Sequence, residues 1–287
     1  TAAGNVGYPL CEAVLRSGGL DVIVAEVSSF QLERVRTFEP LAAALLNMTE
    51  DHLDRHGTPE AYHRAKLRIL ERVRRPGRVV VGEDLLRNSL VTQAIPRGPG
   101  VPVTFSARPG SRAAFRLDDH GVLCLGRGGP ETEALLDASR LRLVGRHNVE
   151  NALAAAALAS GVGMETRDIA AALTTFTPPP HRLELVTIHK GVRYVNDSKS
   201  TNPDSMLRAL EAVSDASTGG ILLIAGGLDK GADFASVTRV LPGPVREVFL
   251  IGKCRERLAK EWGNVVSCKV FSAFSAALSA AIEVAAS

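Results

Sequence analysis

The sequence has no C-x-x-C pair and no His/Cys spacing that would hold a structural zinc. Its four cysteines, Cys11, Cys124, Cys254 and Cys268, stand apart, so no disulfide framework is indicated and a reducing cytoplasm fits. No apolar run approaches the ~18 to 20 residues that span a bilayer, and Thr1 to Asn5 carry neither the charged nor the apolar region of a secretory signal. Membrane insertion is therefore not expected. Charge of one sign is also lacking: 34 Lys and Arg against 31 Asp and Glu leave +3, which gives no general reason to expect a nucleic acid. The phosphate loop G-x-x-x-x-G-K-[ST] is missing too. The only Gly-Lys pair is Gly252-Lys253, with Glu247 at the first glycine position and Cys254 after the lysine. No G-x-G-x-x-G follows a strand, which weighs against a Rossmann oxidoreductase, and there is no internal repeat. The chain lacks an initiator Met and opens close to a strand or loop, so we expect a fragment of a longer protein.

What is present is the composition of a globular chain. With 287 residues, 45% apolar and 23% charged, it has the length of roughly two domains. Two short apolar runs, residues 21–27 and 41–46, read as strands buried on both faces, with a short helix over 30–38 between them. Strand, crossover, strand is the natural unit. Thr58-Pro59-Glu60 starts a helix expected to run to Arg75, where Pro76-Gly77 stops it. Residues 78–144 change to short β runs (RVVVG, VPVTF, AFRL, VLCL, LRLV), with a hairpin loop at residues 118–121. Helices over 148–160 and 166–176 lead to Thr177-Pro178-Pro179-Pro180, which ends the first domain. A hairpin over 182–196 follows, and then alternating helices and strands to the C-terminus. The fold class is α/β: a central parallel-sheet domain with a small β-rich portion over 1–178, then a Rossmann-like open α/β domain over 179–287.

Several polar residues stand where such strands end. Glu26 closes an apolar strand and is followed by Ser28-Ser29; it is placed to hold a cation, or else it is a core-edge carboxylate bonded to a helix N-terminus. Residues 47–56 put Glu50, Asp51 and Asp54 with His52 and His56, which is either a site or a solvated turn. Lys66 falls between Leu70 and Val73 on the apolar stripe of its helix, whereas Arg64, Arg68, Glu71 and Arg75 take the opposite, solvated face. Desolvation lowers a lysine's pKa and frees an amine that can act as a nucleophile or take up carbon dioxide; snorkelling to water is the alternative. From Lys66 to Arg112 ten basic and three acidic side chains form a local excess, an attractor for an anionic substrate or a solvated face. Asn196 to Pro203 sits between a strand and a helix, and Gly226 to Gly231 follows the next strand. Two lysine-bearing loops at one sheet edge suggest an anion site, and the first also reads as an ordinary capped helix start.

Taken in order, Gly4-Asn5-Val6-Gly7, Glu26 to Glu33 (EVSSFQLE), Leu46 to His56 (LNMTEDHLDRH), Ala65-Lys66, Gly145 to Ala152 (GRHNVENA), Pro180-His181-Arg182 and Asn196 to Asn202 (NDSKSTN) resemble the Mur ligases over nearly the whole chain. S-S-F-Q-L-E is the part that resembles members adding D-glutamate; members adding meso-diaminopimelate or lysine typically carry His in place of that Phe. The family's three-domain plan implies that the domain over 1–178 is ATPase-like, with a UDP-binding domain and a phosphate loop before Thr1, and a last strand and helices after Ser287.

The resemblance further implies ATP and two magnesium ions as cofactors, with Glu26, His52 and Lys66 as the metal set and Lys66 carrying a carbamate. Lys66, His52 and Lys199 are implied to be catalytic. Asn5, Ser28, Thr201 and Lys230 are implied to contact substrate, and Asn148, Arg182 and Asp197 the nucleotide. The implied partners are UDP-N-acetylmuramoyl-L-alanine and D-glutamate, handled by a cytoplasmic monomer that binds no nucleic acid. Rival readings are another amide ligase of the superfamily, such as a folylpolyglutamate synthase, and a catalytically silent binding fragment.

Overall fold

The computed structural model describes residues 1–16, 18–19, 22–49, 51–96, 102–126, 132–215, 219–228 and 231–286. The chain divides into two compact units, Thr1–Ser139 with Glu150–Leu173, and Arg140–Val149 with Thr174–Ser287.

In the first unit β1 (Ala2–Gly4), α1 (Leu10–Leu15) and β2 (Val24–Glu26) come first, and the two strands pair in parallel. There follow α2 (Ser29–Arg34), β3 (Ala42–Leu45), α3 (Leu53–His56), α4 (Pro59–Glu71), β4 (Arg78–Gly82), α5 (Ser89–Ala94), β5 (Val103–Ser106), β6 (Phe115–Leu117), β7 (Val122–Gly126) and β8 (Thr132–Asp137). Strands β3 to β8 make a six-stranded sheet in chain order, parallel from β3 to β6 and antiparallel from β6 to β8. Val80 and Val81 are both fully buried, so β4 is covered on both faces, as its unbroken β-branched run requires. Leu45 and Val81 pack with Leu67 and Leu70 of α4 and with Val91 and Ala94 of α5.

Helix α4 begins as its sequence dictates. The Thr58 hydroxyl accepts the Ala61 N–H at 3.2 Å, and Pro59 takes the first position, where no N–H is needed. It ends at Glu71 rather than Arg75, although Val73 beyond it is still buried. Two further expectations change. Strands β2 and β3 do not pair: β2 bonds to β1 and β3 to β4. Residues 141–144 form no strand, whereas Thr132–Asp137 does.

Helices α6 (Arg146–Gly161) and α7 (Thr166–Thr175) lead to the second unit's β9 (Glu184–His189) and β10 (Val192–Asn196), an antiparallel hairpin. Then come α8 (Pro203–Asp215), β11 (Ile221–Gly227), α9 (Ala235–Val240), β12 (Val245–Gly252), α10 (Arg255–Trp262), β13 (Ser267–Val270) and α11 (Phe274–Ala285). Strands β11, β12 and β13 form a parallel sheet in that order. Successive residues of β12 point to opposite faces. Val248 and Leu250 join Leu210, Val237, Leu258 and Trp262, while Phe249 joins Ala277 and Ala281 of α11. Helices thus cover both faces of an open α/β layer. No described helix is long and apolar enough to cross a membrane.

Candidate active site

The carboxyl ends of β1 and β2 bring three of the candidate residues into one place. Gly4 has φ +107°, and a Cβ there would overlap the Glu26 carbonyl oxygen, so only glycine lets the two strand ends approach this closely. The Asn5 N–H then donates to the Glu26 carbonyl at 2.8 Å. The Glu26 side chain is exposed, and no hydrogen bond or ion pair engages its carboxylate among the described residues. Ser28 caps α2 in a reciprocal arrangement: its hydroxyl accepts the Gln31 N–H at 3.3 Å while its own N–H donates to Gln31 Oε1 at 2.8 Å. Its hydroxyl is therefore fixed in place by local sequence.

The loop after β3 supplies the second group. His52 is in the left-handed region (φ 54°), its N–H donates to Asp51 Oδ1 at 2.8 Å, and its ring packs on Phe30 with centroids 4.9 Å apart. Lys66 lies on the face of α4 that buries Tyr62, Ala65 and Leu70, as the helical spacing predicts; Leu67 is buried as well, and so is Val73 beyond the helix. Its Nζ donates to the Asn47 carbonyl at 2.9 Å and to Asn47 Oδ1 at 3.3 Å, and stands 5.3 Å from the Tyr62 ring centre. Burial pulls the Lys66 pKa down, and the Asp51 carboxylate partly opposes this. Burial and then Asp51 push the Tyr62 phenol up, so it stays protonated.

Three arginines of the basic excess from Lys66 onward hold the structure together. Arg68, expected on the solvated face, donates to the Glu33 and Val35 carbonyls at 2.6 and 2.8 Å, and Arg72 donates to the Arg36 carbonyl. These guanidinium groups satisfy the free carbonyls at and beyond the end of α2. Arg108 pairs with Asp84.

In the second unit the loops before β9 and after β10 are laced together. Leu183 N–H donates to Asp197 Oδ1 at 3.0 Å, Lys199 N–H donates to the His181 carbonyl at 3.1 Å, and His181 Nδ1 lies 2.8 Å from Asn196 Nδ2. Burial raises the Asp197 pKa, against the opposing effects of the Leu183 N–H, Arg182, His147 and Ser200. Asn148 donates to the Val144 carbonyl at 2.7 Å. His147, which sequence reasoning passed over, is held below the usual imidazole range by burial and then by Arg208, with Asp197 and Asp204 opposing. Asn202 Oδ1 accepts the Ser205 N–H at 2.8 Å, so the segment before α8 does cap that helix. The side chains of Lys199 and Thr201 are exposed, while Lys230 lies outside the described residues. The hairpin holding the first lysine loop is not part of the β11–β13 sheet, so the two loops do not share one sheet edge.

Among the described residues no group of three or more His, Cys, Asp and Glu comes together as a metal cage. Magnesium keeps water and substrate phosphates as ligands and takes only one or two carboxylates from a protein. The Glu26 carboxylate, unengaged among the described residues, stands exposed at a strand's carboxyl end.

Residues 1–159 match the Mur ligase middle domain, and residues 181–287 match the Mur ligase glutamate ligase domain. The chain is 41% identical over 267 residues to the UDP-N-acetylmuramoylalanine--D-glutamate ligase of Salinibacter ruber, covering 91% of this chain and 56% of that protein. It is 37% identical over 285 residues to the ligase of that name from Geobacter metallireducens, covering 99% and 60%. The chain thus spans little more than half the length of these relatives. Among solved structures it is similar to a Mycobacterium tuberculosis folylpolyglutamate synthase complexed with ADP and AMPPCP (TM-score 0.68, 17% identity, 96% of this chain and 64% of that one). It is also similar to MurF from Acinetobacter baumannii (TM-score 0.67, 20% identity, 91% and 58%). With one family model covering more than half of the chain and a second covering most of the remainder, the protein belongs to the Mur ligase family.

Proposed function

We propose that the full-length protein is an ATP-dependent amide ligase that joins D-glutamate to UDP-N-acetylmuramoyl-L-alanine in cytoplasmic peptidoglycan precursor synthesis. The observation that carries this reading is the 34–41% identity, over about nine-tenths or more of the chain, to relatives named for that reaction. An oxygen of the alanyl carboxylate attacks the γ-phosphorus of ATP and ADP leaves. The amine of D-glutamate then attacks the acyl phosphate carbon, phosphate departs with the former carboxylate oxygen, and the amine gives up a proton.

Asn5 and Ser28 orient the muramoyl-alanine substrate from the ends of β1 and β2. Glu26 and His52 would hold two magnesium ions, and Lys66 would support the second as the carbamate formed when its neutral amine adds carbon dioxide and gives up a proton. When bound, the ions would offset the repulsion between a carboxylate and a triphosphate. Asn148, Arg182 and Asp197 contact the nucleotide, and Lys199, Thr201 and Lys230 serve the reacting carboxyl and the incoming D-glutamate. The lowered pKa of Lys66 supports its part, since only the neutral amine adds carbon dioxide.

The test is phosphate release from ATP by full-length protein. Release should require both UDP-N-acetylmuramoyl-L-alanine and D-glutamate; equal turnover with L-glutamate, or with a folate acceptor, would sink the assignment.

A further inference from the structure

Beside the candidate site lies a hydrogen-bonded series to which none of the assigned roles applies. Ser29 Oγ is 3.0 Å from His56 Nε2, and His56 Nδ1 is 3.1 Å from Glu33 Oε1. A carboxylate only accepts, so Nδ1 carries the hydrogen toward Glu33, and in the neutral ring Nε2 accepts the Ser29 hydroxyl. The order serine, imidazole, carboxylate is that of a nucleophilic relay. Here, however, Ser29 is 7% exposed and the His56 side chain 1%, so no substrate reaches the hydroxyl. The imidazole is also held by its faces: it stacks on Phe30 (centroids 5.3 Å, planes 8° apart) and packs against Tyr62 at 5.3 Å. Phe30 in turn lies against the His52 ring at 4.9 Å, and Tyr62 lies under Lys66.

We infer that His56 is a positioning residue: the Ser29–His56–Glu33 series locks its ring, and the locked ring holds His52 in place through Phe30. This deepens the proposed function, on which the role of His52 rests. Three elements are joined by one buried side chain, since Ser29, Phe30 and Glu33 belong to α2, His56 ends α3 and Tyr62 belongs to α4. His52 has a left-handed backbone on an exposed loop, and its ring meets Phe30 at 4.9 Å, Tyr62 edge-on at 6.5 Å and Asp51 Oδ1 at 3.7 Å.

The experiment reads the His52 imidazole by NMR in this chain, with its signals assigned by their disappearance in His52→Gln. In His56→Leu, which removes both hydrogen bonds and keeps most of the volume, the His52 signals should shift and broaden. Ser29→Ala, which removes one bond and almost no volume, should move them less in the same direction and serves if His56→Leu fails to fold. In full-length protein, His56→Leu should lower kcat by about ten- to hundredfold, the usual effect of losing a supporting contact. Phe30→Leu should add little to that loss, because both changes cut the same connection. Unchanged His52 signals in folded His56→Leu or Ser29→Ala overturn the inference. If the signals move but no D-glutamate-dependent turnover is found in the wild type, the packing link stands and the ligase reading fails.

Discussion

Lys66 offers the sharpest perturbation, because its stability and catalytic effects can be separated by size. Replacing it with alanine removes a half-buried stem and donors to the Asn47 carbonyl and Asn47 Oδ1, at 2.9 and 3.3 Å. A hydrogen bond from a charged group is worth about 1.5–3 kcal/mol. Relief from burying the charge works the other way, since burial is the main cause lowering this pKa. The net cost should therefore be smaller than that of the hydrogen bonds alone, and a domain with the usual ~5–15 kcal/mol stays folded. Loss of a group supporting a catalytic metal costs several kcal/mol in the transition state, so turnover should fall by at least about hundredfold at ~1.36 kcal/mol per decade. Phosphate release by Lys66→Ala should therefore be nearly abolished and recover with added acetate or formate. Lys66→Arg, which keeps the charge but cannot carry a carbamate, should stay inactive. The neutral amine fraction grows with pH, so a 13C-bicarbonate NMR signal at Lys66 should strengthen from pH 7 to 9 and vanish in Lys66→Arg. An active Lys66→Arg, with no effect of small carboxylates on Lys66→Ala, would refute the carbamate and leave Lys66 a structural donor to Asn47.

Glu26→Ala and His52→Ala should each cost at least about hundredfold in kcat, or ~2.7 kcal/mol, while melting close to the wild type, because both residues are exposed; near-normal turnover in either variant would count against the metal role. Asp197→Asn should bind ATP more weakly without losing stability. Because the folded carboxyl's pKa is raised, its stabilising effect is present below the unfolded pKa and lost as pH rises through the folded one. The asparagine protein should therefore gain melting temperature relative to wild type at pH 8 more than at pH 4, and a lower melting temperature at pH 8 would contradict this. Leu70→Ala, at a fully buried position between α4 and the β3–β4 face, should cost about 2–5 kcal/mol in chemical denaturation; a loss under 1 kcal/mol would show that the cluster is loosely packed.

The elements best read from sequence were those whose pattern and packing agree. The β-branched run of β4 and the stripe of α4 needed no tertiary information, and Lys66 could be singled out because a charge on a buried face breaks a strict period. Residues 141–144 misled because an apolar run predicts burial rather than pairing: Leu141 is buried without belonging to a strand. Strand β8 escaped because Thr132 and Glu133 dilute its apolar pattern, and it is set by pairing with β7. A helical wheel places Arg68 opposite the core, but it carries no trace of the carbonyls at the end of α2 that Arg68 meets. The link between Ser29 and His56 crosses 27 residues of sequence with no local signal. His147 lies inside the 145–152 motif, yet only the fold shows that Asp197 is near enough to act on its charge.

The central claim is that an alanyl carboxylate is activated by ATP and captured by D-glutamate. Its most direct test uses UDP-N-acetylmuramoyl-L-alanine labelled with 18O in the alanyl carboxylate, together with ATP, D-glutamate and full-length protein. The account predicts one labelled oxygen in each phosphate released, in step with formation of the D-glutamyl amide. Unlabelled phosphate, or labelled phosphate with no D-glutamyl product, would contradict it.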